Sequence, residues 1–369
     1  MKRIKLSAAM TAILFGLSIN TASAKSWRVN HDTTTGANFA SINDAMSAKD
    51  TDGNDLVVAG DTLYLDPGLI TSATATINKR VTIIGTGYLR TSSPHQFAHV
   101  SHALTITAEG TKIEGLWCYS INLRAKNITI ERCYSTGNIT TDNGTTNYKH
   151  TGIVIRQCYI TGQIGSTSST YDNSYMTNAT IENNIIRSSS GNTISTSPIH
   201  YLNGCDVRNN YVIYNGTDPD PYAISGAKNS HFYNNVLFNS KNIEKAINVE
   251  ASCISKNNIY SSSPIASDDE SADPIRVDGN NNYRLGSAIE SDIFAMSGNN
   301  DERYSELKEG SPAIGFGVDD ADCGPTGGLY PYVVSGLPAY HPYYTNAVFS
   351  KTSDGTGINV SLKIKMQNE

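Results

Sequence analysis

Asp206 and Arg208, then His231 and Tyr233, form two pairs with the same inner spacing, set 25 residues apart. A two-residue step puts both members of a pair on one face of a strand. If the two strands are neighbours in register, the four side chains share one small patch. That patch holds a base (His231), a carboxylate to orient it (Asp206), a cation (Arg208) and a phenol (Tyr233). Acid–base chemistry needs groups of this kind within hydrogen-bond reach. In a proton abstraction beside a carboxylate, Arg208 would neutralise the substrate carboxylate while His231 or Tyr233 takes the proton. The competing reading is a surface ion pair that only supports the fold. Asp218 and Asp220 flank Pro219 in a loop from Asn215 to Pro221 and offer oxygen ligands to a calcium ion, the one cofactor suggested. The same residues are equally the ingredients of a turn. Lys149 and His150 precede a strand and read as solvated.

Whether the two pairs meet depends on the elements that carry them. A five-residue pattern recurs at Ile130–Tyr134, Ile155–Tyr159, Ile181–Ile185, Val207–Tyr211, Phe232–Val236, Ser255–Ile259 and, more weakly, Gly279–Tyr283. The steps are 25, 26, 26, 25, 23 and 24 residues. A steady period of this size marks a solenoid in which each repeat is one turn. The repeats are rich in Ile, Val, Tyr, Thr and Asn, which favours strands. Within each repeat the chain alternates. Ile128, Ile130, Ile153, Ile155, Ala179, Ile181, Cys205 and Val207 take one face, and Thr129, Glu131, Val154, Arg156, Thr180, Glu182, Asp206 and Arg208 the other. The outer column Glu131, Arg156, Glu182, Arg208, Tyr233, Lys256 predicts an exposed ion-pair ladder, each pair contributing about 0.2–1 kcal/mol. The second Asn of each pair (Asn184, Asn210, Asn235, Asn258, Asn282) suits a left-handed corner. Stacked in register, these side chains can bond one another along the axis. The next column (Tyr134, Tyr159, Ile185, Tyr211, Val236, Ile259, Tyr283) reads as an internal apolar and aromatic stack.

The ends carry their own signals. Asn38 is placed to cap a short helix with Phe39, Ile42, Ala45 and Met46 on one face, which would cover the open first turn. Near the other end, Ile358, Val360, Leu362, Ile364 and Met366 alternate with polar residues as a half-buried strand. Gly and Pro cluster between Gly324 and Pro342, marking a change of structure.

Three segments carry a family resemblance: Gly60-Asp61-Thr62-Leu63-Tyr64-Leu65-Asp66-Pro67-Gly68, Lys79 to Tyr88, and Gly310-Ser311-Pro312-Ala313-Ile314-Gly315. With the repeats, they make the chain resemble right-handed parallel β-helices of the pectin lyase-like superfamily, in particular secreted proteins of Gram-negative bacteria. The resemblance implies an all-β, single-stranded right-handed parallel β-helix over residues 25–328, with an N-terminal capping helix and a small C-terminal β tail over 329–369. It also implies a polysaccharide partner. The motifs of the enzymes are missing. Asp-Asp occurs only at Asp268-Asp269 and Asp319-Asp320, outside the regular turns, and Gly-His-Gly is absent. The pectate lyase segments Trp-Ile-Asp-His and Arg-x-Pro-x-x-Arg are also absent. The expectation is a protein that binds or processes a polysaccharide, as a divergent lyase or glycoside hydrolase. The alternative is a non-catalytic surface scaffold or adhesin.

Residues 1–24 read as a secretory leader: Lys2, Arg3 and Lys5, an apolar stretch from Leu6 to Ile19, then Ala22-Ser23-Ala24 before the cut. Loss of its three basic residues takes the formal net charge from −6 to −9. With no basic run, the chain is not a nucleic-acid binder. No apolar run is long enough to span a bilayer. The predicted location is therefore periplasmic, outer-surface or extracellular. Six cysteines in an exported chain invite disulfides. However, Cys205 and Cys253 fall two turns apart, beyond bridging reach. Cys133 and Cys158 fall on consecutive turns and are the one pair able to meet, in a poor orientation.

Overall fold

The computed structural model describes residues 24–71, 73–88, 97–142, 149–167, 176–188, 197–215, 222–239, 247–261, 281–285, 289–296, 304–338, 342–351 and 358–366. Asp218, Asp220, Asp268, Asp269 and most of the leader lie outside these residues. The alternating repeats form a right-handed parallel β-helix with three walls, each a parallel sheet. The first wall has ten strands, from Ser26–Val29 to Ile254–Lys256, and the second has ten, from Gly68–Thr71 to Tyr283–Leu285. The third starts at Ala75–Ile77 and includes Ile199–Asn203 and Ile224–Lys228. Columns in the sequence are columns in space: Thr129 pairs Val154, Val154 pairs Thr180, and Thr180 pairs Asp206.

The inward column is dry. Ile113, Ile130, Ile155, Ile181, Val207 and Phe232 have no exposed surface. Each such side chain contributes about 1.5–3 kcal/mol by burial. All six cysteines are buried and free. The Cys133 amide donates to Cys158 Sγ at 3.4 Å, so this pair stacks without a bridge. Cys205 and Cys253 are separated by Ser230, whose hydroxyl accepts from the Cys205 amide and whose own amide reaches Cys253 Sγ.

At the corner between the first and second walls, the left-handed residue is the first of each Asn pair. Asn183, Asn209, Asn234, Asn257 and Asn281 all have φ between 51° and 58°, with Arg132 and Gln157 in the same role. The second Asn instead turns inward. Asn184 Nδ2 donates to Asn210 Oδ1, Asn210 to Asn235, Asn235 to Asn258 and Asn258 to Asn282, at 2.9–3.0 Å. Each acceptor oxygen also takes the backbone N–H of the Asn one turn earlier. The sequence reading gave the inward residue both jobs. The geometry divides them, because a side chain aimed down the axis needs its neighbour to make the turn.

The first turn is covered by a helix, Ile42–Ser47, whose Ile42, Ala45 and Met46 are buried with Phe39. Its cap is Ser41, whose Oγ accepts from the Asp44 amide at 3.1 Å, and not Asn38, which accepts from the Arg28 amide. The helix starts later than expected because Phe39 forms a bridge with Val29. Near the C-terminus, Pro342–Lys351 and Ile358–Met366 form an antiparallel hairpin.

Between coil and hairpin the chain runs back along the outside of the coil, against the coil's direction. The left-handed corner residues hold it. Asn257 Nδ2 donates to Phe316 O, and Asn209 to Asp322 O. Asn183 donates to Pro325 O and Gly327 O, Gln157 to Pro331 O, and Arg132 Nη1 to Leu337 O. Beneath this strap lies a second apolar core in which Tyr134, Tyr159, Ile185, Tyr211, Val236 and Ile259 meet Phe294, Tyr304, Cys323 and Tyr332. The aromatic column therefore lies on the outer face of the second wall, buried from outside. The residues that fill the interior are the next ones along, Ile160, Ile186, Val212, Leu237 and Tyr260.

Candidate functional site

The first wall brings the four predicted residues together. Asp206 pairs His231 and Arg208 pairs Tyr233 in register on neighbouring strands. His231 Nδ1 lies 3.0 Å from Asp206 Oδ1, with both side chains about half exposed. When Nδ1–H is given to the carboxylate, the lone pair of the neutral ring sits on Nε2, which becomes the basic atom. Two residues along the strands the arrangement is different. Arg208 Nε and Nη2 both reach Glu182 Oε2, at 2.8 and 2.7 Å, and Nη1 donates to the Tyr233 hydroxyl at 2.8 Å. Burial works against the Arg208 charge, but the Tyr233 hydroxyl and the Glu182 carboxylate outweigh it and raise the guanidinium above its ordinary value. The fork of Arg208 is thus occupied, and Tyr233 is held by it.

Further down the same wall the outer column is not the exposed ladder the alternation predicted. Glu131 and Glu182 are each only 4% exposed. The strap closes over this region: the Arg156 guanidinium lies 4.1 Å from the centroid of the Tyr330 ring. Lys112 Nζ stands 2.9 Å from Glu114 and 3.0 Å from Glu131, and Arg156 Nη2 stands 3.2 Å from Glu131. Burial alone would raise the Glu131 carboxyl, but Lys112 and Arg156 hold it below its ordinary value. Buried pairs of this kind are expensive to break from one side, unlike surface pairs. Lys112 and Glu114 escaped the repeat count because Ile113-Glu114 precedes Ile130-Glu131 by 17 residues, a short turn.

Exposure on the wall's outer face rises from a buried middle towards both ends, with Arg28 and Tyr64 exposed on the first rungs. His231, Ile254 and Lys256 are exposed, with Asp206, Arg208 and Tyr233 half-buried beside them. Two other imidazoles are committed elsewhere. His150 is buried, not solvated, because Nε2 bonds Asp142 O at 2.9 Å. His200, on the third wall, is buried with Nδ1 3.0 Å from Ser197 O, and burial lowers its pKa. Among the described residues, no three His, Cys, Asp or Glu side chains gather as a metal site. Among them, too, no helix is long and apolar enough to cross a membrane. Compared with known proteins, the sequence matches no family model and no curated protein.

Proposed function

We propose that the chain is an exported β-helix protein of the pectin lyase-like type that binds an acidic polysaccharide across the last rungs of its first wall. The reading rests on one observation: a half-exposed His231–Asp206 dyad beside an arginine-held Tyr233, on the last rungs of a wall whose middle is buried. Strands about 4.8 Å apart present a repeating face to a repeating polymer. Lys256 supplies positive charge for uronate groups in an otherwise acidic chain. In the catalytic form of the reading, His231 Nε2 takes the proton beside the sugar carboxylate. The electron pair forms the C=C bond, the glycosidic C–O bond breaks, and the leaving oxygen collects a proton.

A second reading, the non-catalytic scaffold or adhesin, is favoured by the engaged fork of Arg208, whose Nε–Nη2 edge is taken by Glu182 and whose Nη1 is held by Tyr233. One experiment separates the two. The chain from Lys25 onward is titrated with uronate and neutral glycans, while unsaturated products are followed by their ultraviolet absorbance. Binding of a uronate glycan should weaken about tenfold in His231→Ala and stay unchanged in Lys126→Ala, a remote exposed site. Product formation lost in His231→Ala supports the lyase, and binding without product supports the scaffold. Failure to bind any glycan sinks both.

A further inference from the structure

Asp61 is a charged residue with no exposed surface, at the turn into the second strand of the first wall. Its Oδ2 accepts from the Val58 amide at 3.0 Å and from the Trp27 indole N–H at 2.8 Å. Its Oδ1 accepts from the backbone nitrogen of Lys25 at 2.7 Å. No salt bridge reaches it among the described residues; the Lys25 side-chain ammonium, 5.6 Å from the centroid of the Trp27 ring, attracts it only from a distance. A buried carboxylate in this position is costly unless a positive charge meets it. The Lys25 nitrogen is also where the Ala22-Ser23-Ala24 pattern places the new chain end. The fold engages the chain at this same residue: Lys25 O accepts from the Thr62 amide at 2.8 Å, and strand pairing starts one residue later with Ser26 against Thr62.

We propose that Asp61 is a receptor for the processed N-terminus: cleavage after Ala24 turns the Lys25 amide into an ammonium that ion-pairs with it and locks the first strand onto the coil. In the uncut chain this nitrogen has one hydrogen and no charge. In the cut chain it has three hydrogens and a positive charge, and charge-assisted bonds are about twice as strong as neutral ones. Hydrolysis of the Ala24–Lys25 peptide bond releases the leader with a carboxylate and leaves the amine, so water is the only co-reactant. Trp27 then closes the pocket, its indole N–H holding the other carboxylate oxygen while its ring packs on Phe39 at 5.4 Å. The first strand thereby reports whether the leader has been removed.

The test compares three forms of the protein by hydrogen exchange: the chain starting at Lys25, the same chain with its α-amine acetylated, and a chain retaining Ala22-Ser23-Ala24. The Thr62 amide and the Trp27 indole N–H should be protected about tenfold more in the free-amine form than in the other two. In Asp61→Asn all three forms should exchange alike. Equal protection across the forms of the unaltered protein would overturn the proposal. So would a difference that persists in Asp61→Asn, or mass spectrometry of the exported chain showing a start other than Lys25.

Discussion

Replacing Asn210 with Ala removes an interior rung of the inward asparagine ladder. Asn210 Oδ1 accepts the Asn184 amide and the Asn184 Nδ2, both at 3.0 Å. Its Nδ2 donates to Ile181 O at 2.8 Å, Arg208 O at 2.9 Å and Asn235 Oδ1 at 3.0 Å. The neighbours are not equally dependent on it. Asn184 Nδ2 keeps Ile155 O, and Asn235 Oδ1 keeps the backbone amide of residue 210. The Asn184 amide and the Ile181 carbonyl side facing the rung are left without these bonds in the buried interior. At about 1–3 kcal/mol for each buried group left unpaired, the loss is about 2–6 kcal/mol. Asn210→Cys should cost less, because Cys133 and Cys158 occupy this column and Cys158 Sγ accepts the Cys133 amide. Asn210→Asp should cost more than Cys, because it sets a carboxylate against the Asn235 carbonyl oxygen. Solenoids open locally, so the direct readout is native-state hydrogen exchange at the Asn184 amide, supported by urea unfolding. An Ala variant with unchanged protection at Asn184 and an unchanged midpoint would refute the ladder as a stabilising device.

Two further outcomes test the strap and the buried charges. Asn183→Gly keeps the left-handed corner but loses the bonds to Pro325 O and Gly327 O, so cleavage of the 316–332 stretch by trace protease should accelerate by about tenfold. Asn183→Ala should be worse by about 1 kcal/mol because Ala resists the positive φ. Glu131 is held below its ordinary value of 4.5, so its contribution is fully present above that value and is lost as pH falls through the lower folded value. Glu131→Gln should therefore be less stable at neutral pH and show a flatter loss of stability on acidification, measured by thermal unfolding across that range. An acid limb identical to that of the unaltered protein would remove Glu131 from the explanation.

The columns were readable because a period of about 25 residues and a period of two together fix which side chains are neighbours. That is how the sequence alone matches Asp206 to His231 and Arg208 to Tyr233. Direction was harder. In two-residue strands such as Tyr159–Ile160 both residues are apolar, and alternation cannot say which one faces the interior. Tyr159 was assigned inward, and the answer depended on a strap more than a hundred residues later in the chain. The same strap buries Glu131 and Glu182, which looked like surface charges from their polarity alone. In the corner pairs, Asn183 and Asn184 are chemically identical, so only the backbone could tell turn from ladder. At the N-terminus, Ser41 and Asn38 are both good caps, and the bridge from Phe39 to Val29 decided between them.

A solenoid ordinarily feels only its immediate neighbours, so each turn can form or fail almost alone. The returning strap removes that independence here. Tyr88 and Tyr332 join hydroxyls at 2.6 Å across 244 residues of sequence, and Arg132 reaches Leu337 across 205. A chain emerging N-terminus first can wind every coil and still lack the outer apolar layer until almost all of it has been made. During that interval Tyr134 and Tyr159 lack their cover. A nascent molecule halted before residue 316 would present a greasy flank to any chaperone or any sister chain.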